Sequence, residues 1–160
     1  PVMVAKSGDK LLQDEAIAAL RDELLPLAHL ITPNLPEAGV LLGRDITRRE
    51  DMTQAAQDLL ALGAHAVFLK GGHLPDAHSD DLYIDAQHHF WLSDARHPGK
   101  NTHGTGCTLS AAIAAHLAQG DPLPDAVRHG KAYISAAIAA ADRLQVGSGH
   151  GPVHHFYAWW

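Results

Sequence analysis

The chain has 160 residues, a length that fits one domain of ordinary size. Hydrophobic residues make up 46% and charged residues 19%, which excludes a disordered chain, and no apolar run reaches the roughly 18 residues of a membrane-spanning helix. Twelve Lys and Arg against 18 Asp and Glu leave a net charge of −6 with no basic block, which argues against nucleic acid and against a membrane as partners. A single cysteine excludes an intrachain disulfide framework and points to a reducing, cytoplasmic setting. Thirteen histidines are an unusual load, and their protonation in mild acid would reverse the sign of the net charge.

Strand-like and helix-like segments alternate. Val2-Met3-Val4 reads as a short buried strand. From Leu12 to Leu25 the apolar residues follow a helical period, and Pro26 limits that helix. Leu27 to Ile31 reads as a second buried strand, closed by Thr32-Pro33-Asn34. Pro36 to Leu42 is a short helix with Gly43 just past its end. Thr47 to Leu62 is a longer one, with Met52, Ala55, Ala56, Leu59, Leu60 and Leu62 on its apolar face and Gly63 as its stop. Ala66 to Leu69 is a third buried strand. Asp81 to Ile84 and His89 to Leu92 pair as an antiparallel hairpin. Gly104 to Gly106 turns into a helix from Cys107 to Ala118, and Pro124 to Leu144 is the last long helix. Strands alternating with helices predict an α/β architecture with parallel strands, whose ligands sit beyond the carboxyl ends of the strands. Thr32 to Glu37, Lys70 to His73 and the glycine turn are the segments placed there.

The sharpest chemical feature is Asn101-Thr102-His103-Gly104-Thr105-Gly106-Cys107-Thr108-Leu109-Ser110. Its glycines let the backbone come close to a ligand. The helix that follows offers free N–H groups and the positive end of its dipole, which suits phosphate. Cys107 stands at that helix start, a position that favours a thiolate. The plainer reading is a glycine-started helix with a small buried Cys. A third reading pairs Cys107 with His103 as a covalent nucleophile, but no orienting third group is evident. Lys70 at a strand end beside Gly71-Gly72 can meet phosphate oxygens as a point charge, or simply open a solvated turn. Glu37 can help hold Mg²⁺ through water, or cap a helix start. The histidines show no zinc motif, and His88-His89 and His154-His155 read as surface residues. The aromatic tail from Tyr157 to Trp160 packs on the domain or on a partner segment.

Taken in order, these segments resemble the hydroxymethylpyrimidine/phosphomethylpyrimidine kinases of thiamine biosynthesis, in the ribokinase-like superfamily. The matching residues are Pro1 to Gly8, Thr32 to Ala38, Lys70 to His73, Lys100 to Ser110 and Gly147 to Val153, which span nearly the whole chain. The resemblance implies a three-layer α/β/α fold with a mostly parallel sheet. It implies ATP-dependent phosphorylation of 4-amino-5-hydroxymethyl-2-methylpyrimidine and then of its monophosphate, with ATP and Mg²⁺ as cofactors.

By the same resemblance Cys107 assists the substrate hydroxyl. Gly104, Thr105 and Gly106 form the anion hole, and Lys70 and Thr102 lie on the nucleotide side. Val2 lines the pyrimidine pocket and Glu37 lies near the metal. Family members are about a hundred residues longer at the amino end, form homodimers, and carry an Asp just before the position matched by Pro1. The expectation is therefore that residues 1–160 are the carboxyl-terminal portion of a single kinase domain, inactive until joined by the missing amino-terminal segment. Pyridoxal and hydroxyethylthiazole kinases of the same superfamily are the enzymatic alternatives. A nucleotide- or pyrimidine-binding module without turnover is the alternative of another class.

Overall fold

A computed structural model describes residues 1–3, 11–75 and 77–159. The chain divides into two compact units, Pro1–Asp94 and Ala95–Trp160.

The first unit opens irregularly. Met3 is buried and its carbonyl accepts a 2.8 Å hydrogen bond from the Leu11 amide, whereas Val2 is exposed. Residues 1–3 form no strand, so the expected strand is corrected there; Val4 lies outside the described residues. Helix α1 covers only Asp14–Ala19 and passes into a π-helical turn, Leu20–Leu24, and a 3₁₀ turn, Leu25–Leu27. One regular helix to Leu25 was expected. Pro26 has no N–H to return to the carbonyl four residues earlier. Nor do all the periodic leucines turn inward: Leu25 is buried and Leu24 is 58% exposed.

The second expected strand is displaced as well. Leu27 belongs to the 3₁₀ turn and is 81% exposed. The extended stretch lies later, where Ile31 and Asn34 make isolated parallel bridges to Val67 and Lys70. The Ile31 amide donates to Ala66 at 3.0 Å, and the amides of Phe68 and Lys70 donate back to Ile31 and Pro33 at 2.8 and 2.9 Å. Pro33 has no N–H to add to this ladder, which keeps the pairing to bridges.

Helix α2, Leu35–Leu42, and helix α3, Arg49–Ala61, follow as expected. Gly43 ends α2 in the left-handed conformation, and α3 buries Met52, Ala55, Ala56 and Leu59. Strand β1, Ala66–Lys70, is buried up to its last residue. It pairs antiparallel with β2, His78–Asp85, from Ala66 opposite Asp85 to Lys70 opposite Asp81. Strand β3, His89–Ala95, completes a sheet of order β1-β2-β3. The expected hairpin is present and longer at both strands. The expected mostly parallel sheet is not: among the described residues the parallel contacts are bridges, because only residues 31–34 flank β1 in that sense. The class remains α/β. Leu59, Leu69 and Leu82 are fully buried in the core of this unit, each contributing about 1.5–3 kcal/mol relative to exposure.

The second unit is built on helix α4, Thr105–Ala118, and helix α5, Leu123–Ala139, followed by a 3₁₀ turn, Ala141–Arg143. The last long helix was expected to reach Leu144; it tightens after Ala139 instead. Leu109 and Ile113 of α4 are buried, as are Ala126, Val127, Ile134 and Ala137 of α5. Gly130 brings the helices close, since a Cβ there would stand 2.5 Å from Ile113 Cγ1. The tail returns along this pair. The His154 amide donates to Ala137 at 3.0 Å, and His154 is buried, which corrects its reading as a surface residue. Tyr157 meets Tyr133 with ring centroids 5.7 Å apart, while Trp159 is exposed. Among the described residues no helix is long and apolar enough to cross a membrane.

Candidate active site

In the second unit, Gly104 caps α4 with φ +82°, a left-handed conformation that favours glycine. Thr105, Gly106 and Cys107 are then the first three helical residues, so the helix opens two residues before the expected Cys107 and only Gly104 makes the turn. A helix has no acceptors of its own for the amides of this first turn. The turn is fixed from both sides. Thr105 Oγ1 donates to the Thr102 carbonyl at 2.8 Å, and the Thr108 amide donates to Gly104 at 2.9 Å. Cys107 is exposed, so the buried-Cys reading does not hold. An exposed thiol in the first turn of a glycine-capped helix sits where an anion is stabilised.

The loop before the helix is anchored by long-range hydrogen bonds from Asn101 and His103 to the tail. The His103 amide donates to Gly151 at 3.1 Å, and the Val153 amide donates to His103 at 3.3 Å. His103 thus contributes main-chain pairing with the tail. Asn101 Oδ1 accepts from the Gly151 amide at 3.0 Å, while its Nδ2 donates to Ala141 and Leu144 at 3.0 and 3.3 Å. Thr108 Oγ1 lies 3.0 Å from His155 Nε2, and Tyr133 donates to the His155 carbonyl at 2.7 Å. Asn101 gave no local signal, because each of its partners is at least 40 residues away.

In the first unit, Lys70 and residues 32–37 come together. Lys70 Nζ donates to the Thr32 carbonyl at 2.6 Å. Asn34 and Glu37 form a capping box. The Glu37 amide donates to Asn34 Oδ1 and the Asn34 amide donates to Glu37 Oε2, both at 2.8 Å. Glu37 is buried and the capping reading is realised. The spacing Asn-x-x-Glu is the sequence signature of this motif. Beside Lys70, the Gly71 amide donates to the buried Asp81 Oδ1 at 2.9 Å, which fixes the chain direction after β1. Val2, read as a pocket residue, is 66% exposed.

Comparison with known proteins gives this arrangement its context. A family model described as phosphomethylpyrimidine kinase matches residues 1–154. The chain belongs to the phosphomethylpyrimidine kinase family. Among its relatives, the hydroxymethylpyrimidine/phosphomethylpyrimidine kinase of Rhizobium meliloti is 55% identical, with 100% of this chain and 60% of the relative covered. The protein of the same description from Escherichia coli is 51% identical over 99% of this chain and 60% of its own length. This family chain therefore spans about 60% of the length of these relatives. A solved structure of an ADP complex of Bacillus subtilis pyridoxal kinase superposes with a TM-score of 0.89 at 38% identity, covering 99% of this chain and 59% of that one. The phosphomethylpyrimidine kinase of Clostridium difficile gives 0.72 at 38% identity, covering 86% and 55%.

Proposed function

We propose that residues 1–160 form the carboxyl-terminal portion of a kinase that uses ATP to phosphorylate 4-amino-5-hydroxymethyl-2-methylpyrimidine and then its monophosphate, in thiamine biosynthesis. The observation that carries this reading is the glycine-capped start of α4 with Cys107 exposed in its first turn, in a chain of this family. Phosphoryl transfer needs positioning and charge neutralisation more than covalent chemistry. The anion hole of Gly104, Thr105 and Gly106 takes the phosphoryl oxygens, aided by the helix dipole, the Thr105 amide giving up its long 3.5 Å contact with the Thr102 carbonyl. Cys107, as the thiolate, takes up the proton of the substrate hydroxyl as that oxygen attacks the phosphorus, and becomes the thiol. Lys70 and Thr102 are assigned to the nucleotide, and Val2 to the pyrimidine.

Mg²⁺ belongs to the same reading, and Glu37 suits it. Mg²⁺ takes one or two carboxylates and keeps several waters. The capping box engages Oε2 and so fixes the carboxylate in direction, without demanding its second oxygen. When bound, Mg²⁺ supplies charge neutralisation at the phosphates. In the whole protein these groups join a segment supplied by the rest of the longer relatives' length, within a three-layer ribokinase-like fold, as a cytoplasmic homodimer.

A second reading, a pyridoxal kinase, is favoured by the superposition on the Bacillus subtilis pyridoxal kinase structure. Competition separates them. The whole protein, given ATP and equal hydroxymethylpyrimidine and pyridoxal, is expected to phosphorylate the pyrimidine with the higher kcat/KM. Preference for pyridoxal would replace the first reading with the second. Turnover of neither would reject both.

A further inference from the structure

The two helices of the second unit carry a side-chain cluster that phosphoryl transfer does not use. His116 stands in the last turn of α4, Asp121 in the connection and His129 on α5. His116 Nδ1 lies 2.9 Å from Asp121 Oδ2, and His129 Nδ1 lies 2.8 Å from the same oxygen. The two imidazole centroids are 4.8 Å apart and inclined at 45°. The donor atoms all lie within 4.8 Å of one another. The spacing His-x₄-Asp-x₇-His is no compact motif, so the sequence reading that found no zinc pattern had no local cue to it.

We propose that His116, Asp121 and His129 form a binding site for a divalent transition-metal ion of the zinc type, which clips the end of α4 to α5. The donor set favours this class. Two imidazoles and a carboxylate are a recurrent set of three protein ligands for zinc, with water in the fourth position. Imidazole suits zinc, copper and nickel, whereas Mg²⁺ prefers an all-oxygen shell. The site is therefore chemically distinct from one that serves a nucleotide's Mg²⁺.

The three donors lie within 4.8 Å of one another, so the two imidazole nitrogens come to metal spacing by side-chain rotation while the carboxylate pairs open. Metal–ligand bonds of about 2.0–2.2 Å at tetrahedral angles set neighbouring donors about 3.3 Å apart. The two Nδ1–Oδ2 separations must open by about half an ångström from the 2.9 and 2.8 Å observed. The side chains have room to do so, since 32%, 30% and 54% of His116, Asp121 and His129 are exposed. That exposure also admits the ion and its water. The backbone beneath is set. The Asp121 amide donates to the His116 carbonyl at 3.1 Å, which holds the carboxylate over the helix end. Protons balance without an external base. In a neutral imidazole the single ring proton moves from Nδ1 to Nε2, and the metal takes the lone pair freed at Nδ1. Two hydrogen bonds to Asp121 are exchanged for metal bonds.

The test uses the whole protein in three forms: wild type, His129→Gln and His129→Cys. His129 is the most exposed of the three ligands, so these substitutions leave the fold standing, and circular dichroism verifies that. Zn²⁺ binding is measured by equilibrium dialysis, and Tm is recorded with Zn²⁺ and with Mg²⁺. Cys107 and the other histidines give a background common to all forms. The wild type is expected to hold one Zn²⁺ whose affinity falls at least about tenfold in His129→Gln. It should recover in His129→Cys, because a thiolate is a zinc ligand. Zn²⁺ should raise the Tm of the wild type and of His129→Cys above that of His129→Gln, and Mg²⁺ should not. Zn²⁺ binding and Tm shifts that are the same in wild type and His129→Gln would overturn the proposal, as would a wild type that holds no Zn²⁺.

Discussion

Asn101 and Gly151 are joined by a 3.0 Å hydrogen bond across fifty residues of chain, from the Gly151 amide to Asn101 Oδ1. The same side chain donates to the carbonyls of Ala141 and Leu144, where the chain leaves its last 3₁₀ turn. One amide thus ties the stretch before α4 to both the end of the α5 segment and the tail. The stretch so anchored leads directly into Gly104 and the helix start that receives the phosphate in our account.

Removing that tie should cost stability before it costs chemistry. Asn101→Ala leaves the Gly151 amide and two carbonyls without this partner. Each partly buried group so abandoned costs about 1–3 kcal/mol. The urea midpoint of Asn101→Ala is expected to fall accordingly at an unchanged denaturant slope. A midpoint equal to that of the wild type would show that Asn101 does not anchor the loop.

Glu37 separates two roles by substitution. Gln at the third helical position still reaches back to the Asn34 amide, so Glu37→Gln keeps the capping box but loses the charge. Stability is expected to fall by no more than about 1 kcal/mol, the worth of the charge lost at the helix N-terminus. The Mg²⁺ concentration for half-maximal turnover is expected to rise. Glu37→Ala should show the same rise and also lose about 1 kcal/mol of stability with the cap. An unchanged Mg²⁺ requirement in Glu37→Gln would leave Glu37 a capping residue alone.

Acid should act on the hairpin through Asp85. Burial opposes ionisation of its carboxyl. The Tyr83 hydroxyl, the amides of Gln87 and His88 and the His88 ring outweigh it and bring the pKa from 3.8 to about 2. A carboxyl whose folded pKa is depressed stabilises the protein fully above its unfolded value, and that stability is lost as pH falls through the folded value. Up to about 2 kcal/mol should disappear between about pH 4 and pH 2. The wild type should therefore lose more stability than Asp85→Asn across that window, measured by urea unfolding at each pH. Parallel losses in the two proteins would contradict the assignment.

What the sequence made legible follows from how local each signal is. Helices α2 and α3 were readable because their apolar periods match what they bury and Gly43 and Gly63 stop them. The start of α4 was readable because glycine, turn and helix are contiguous. The region from Leu12 to Ile31 was not. Leu24 and Leu27 carry the right hydrophobicity but stand exposed. The extended stretch beside β1 is set by pairing with Val67 and Lys70, more than thirty residues away. The parallel sheet was inferred from alternation of strands and helices, and alternation does not fix the direction of β2 beside β1. Asn101 and the His116–Asp121–His129 cluster share that limit. Their partners meet only after α4 and α5 have packed or the tail has returned.

The account turns on Cys107, and the most direct measurement is the steady-state kinetics of Cys107→Ala in the whole protein, with ATP and hydroxymethylpyrimidine as substrates. A group that acts on the substrate hydroxyl matters most in the transition state. The account predicts that kcat falls by about 10²–10⁴, the usual worth of a positioned acid–base group, while the KM for ATP changes little. Near-normal kcat in a folded Cys107→Ala protein would contradict it and leave the thiol a bystander at the helix start.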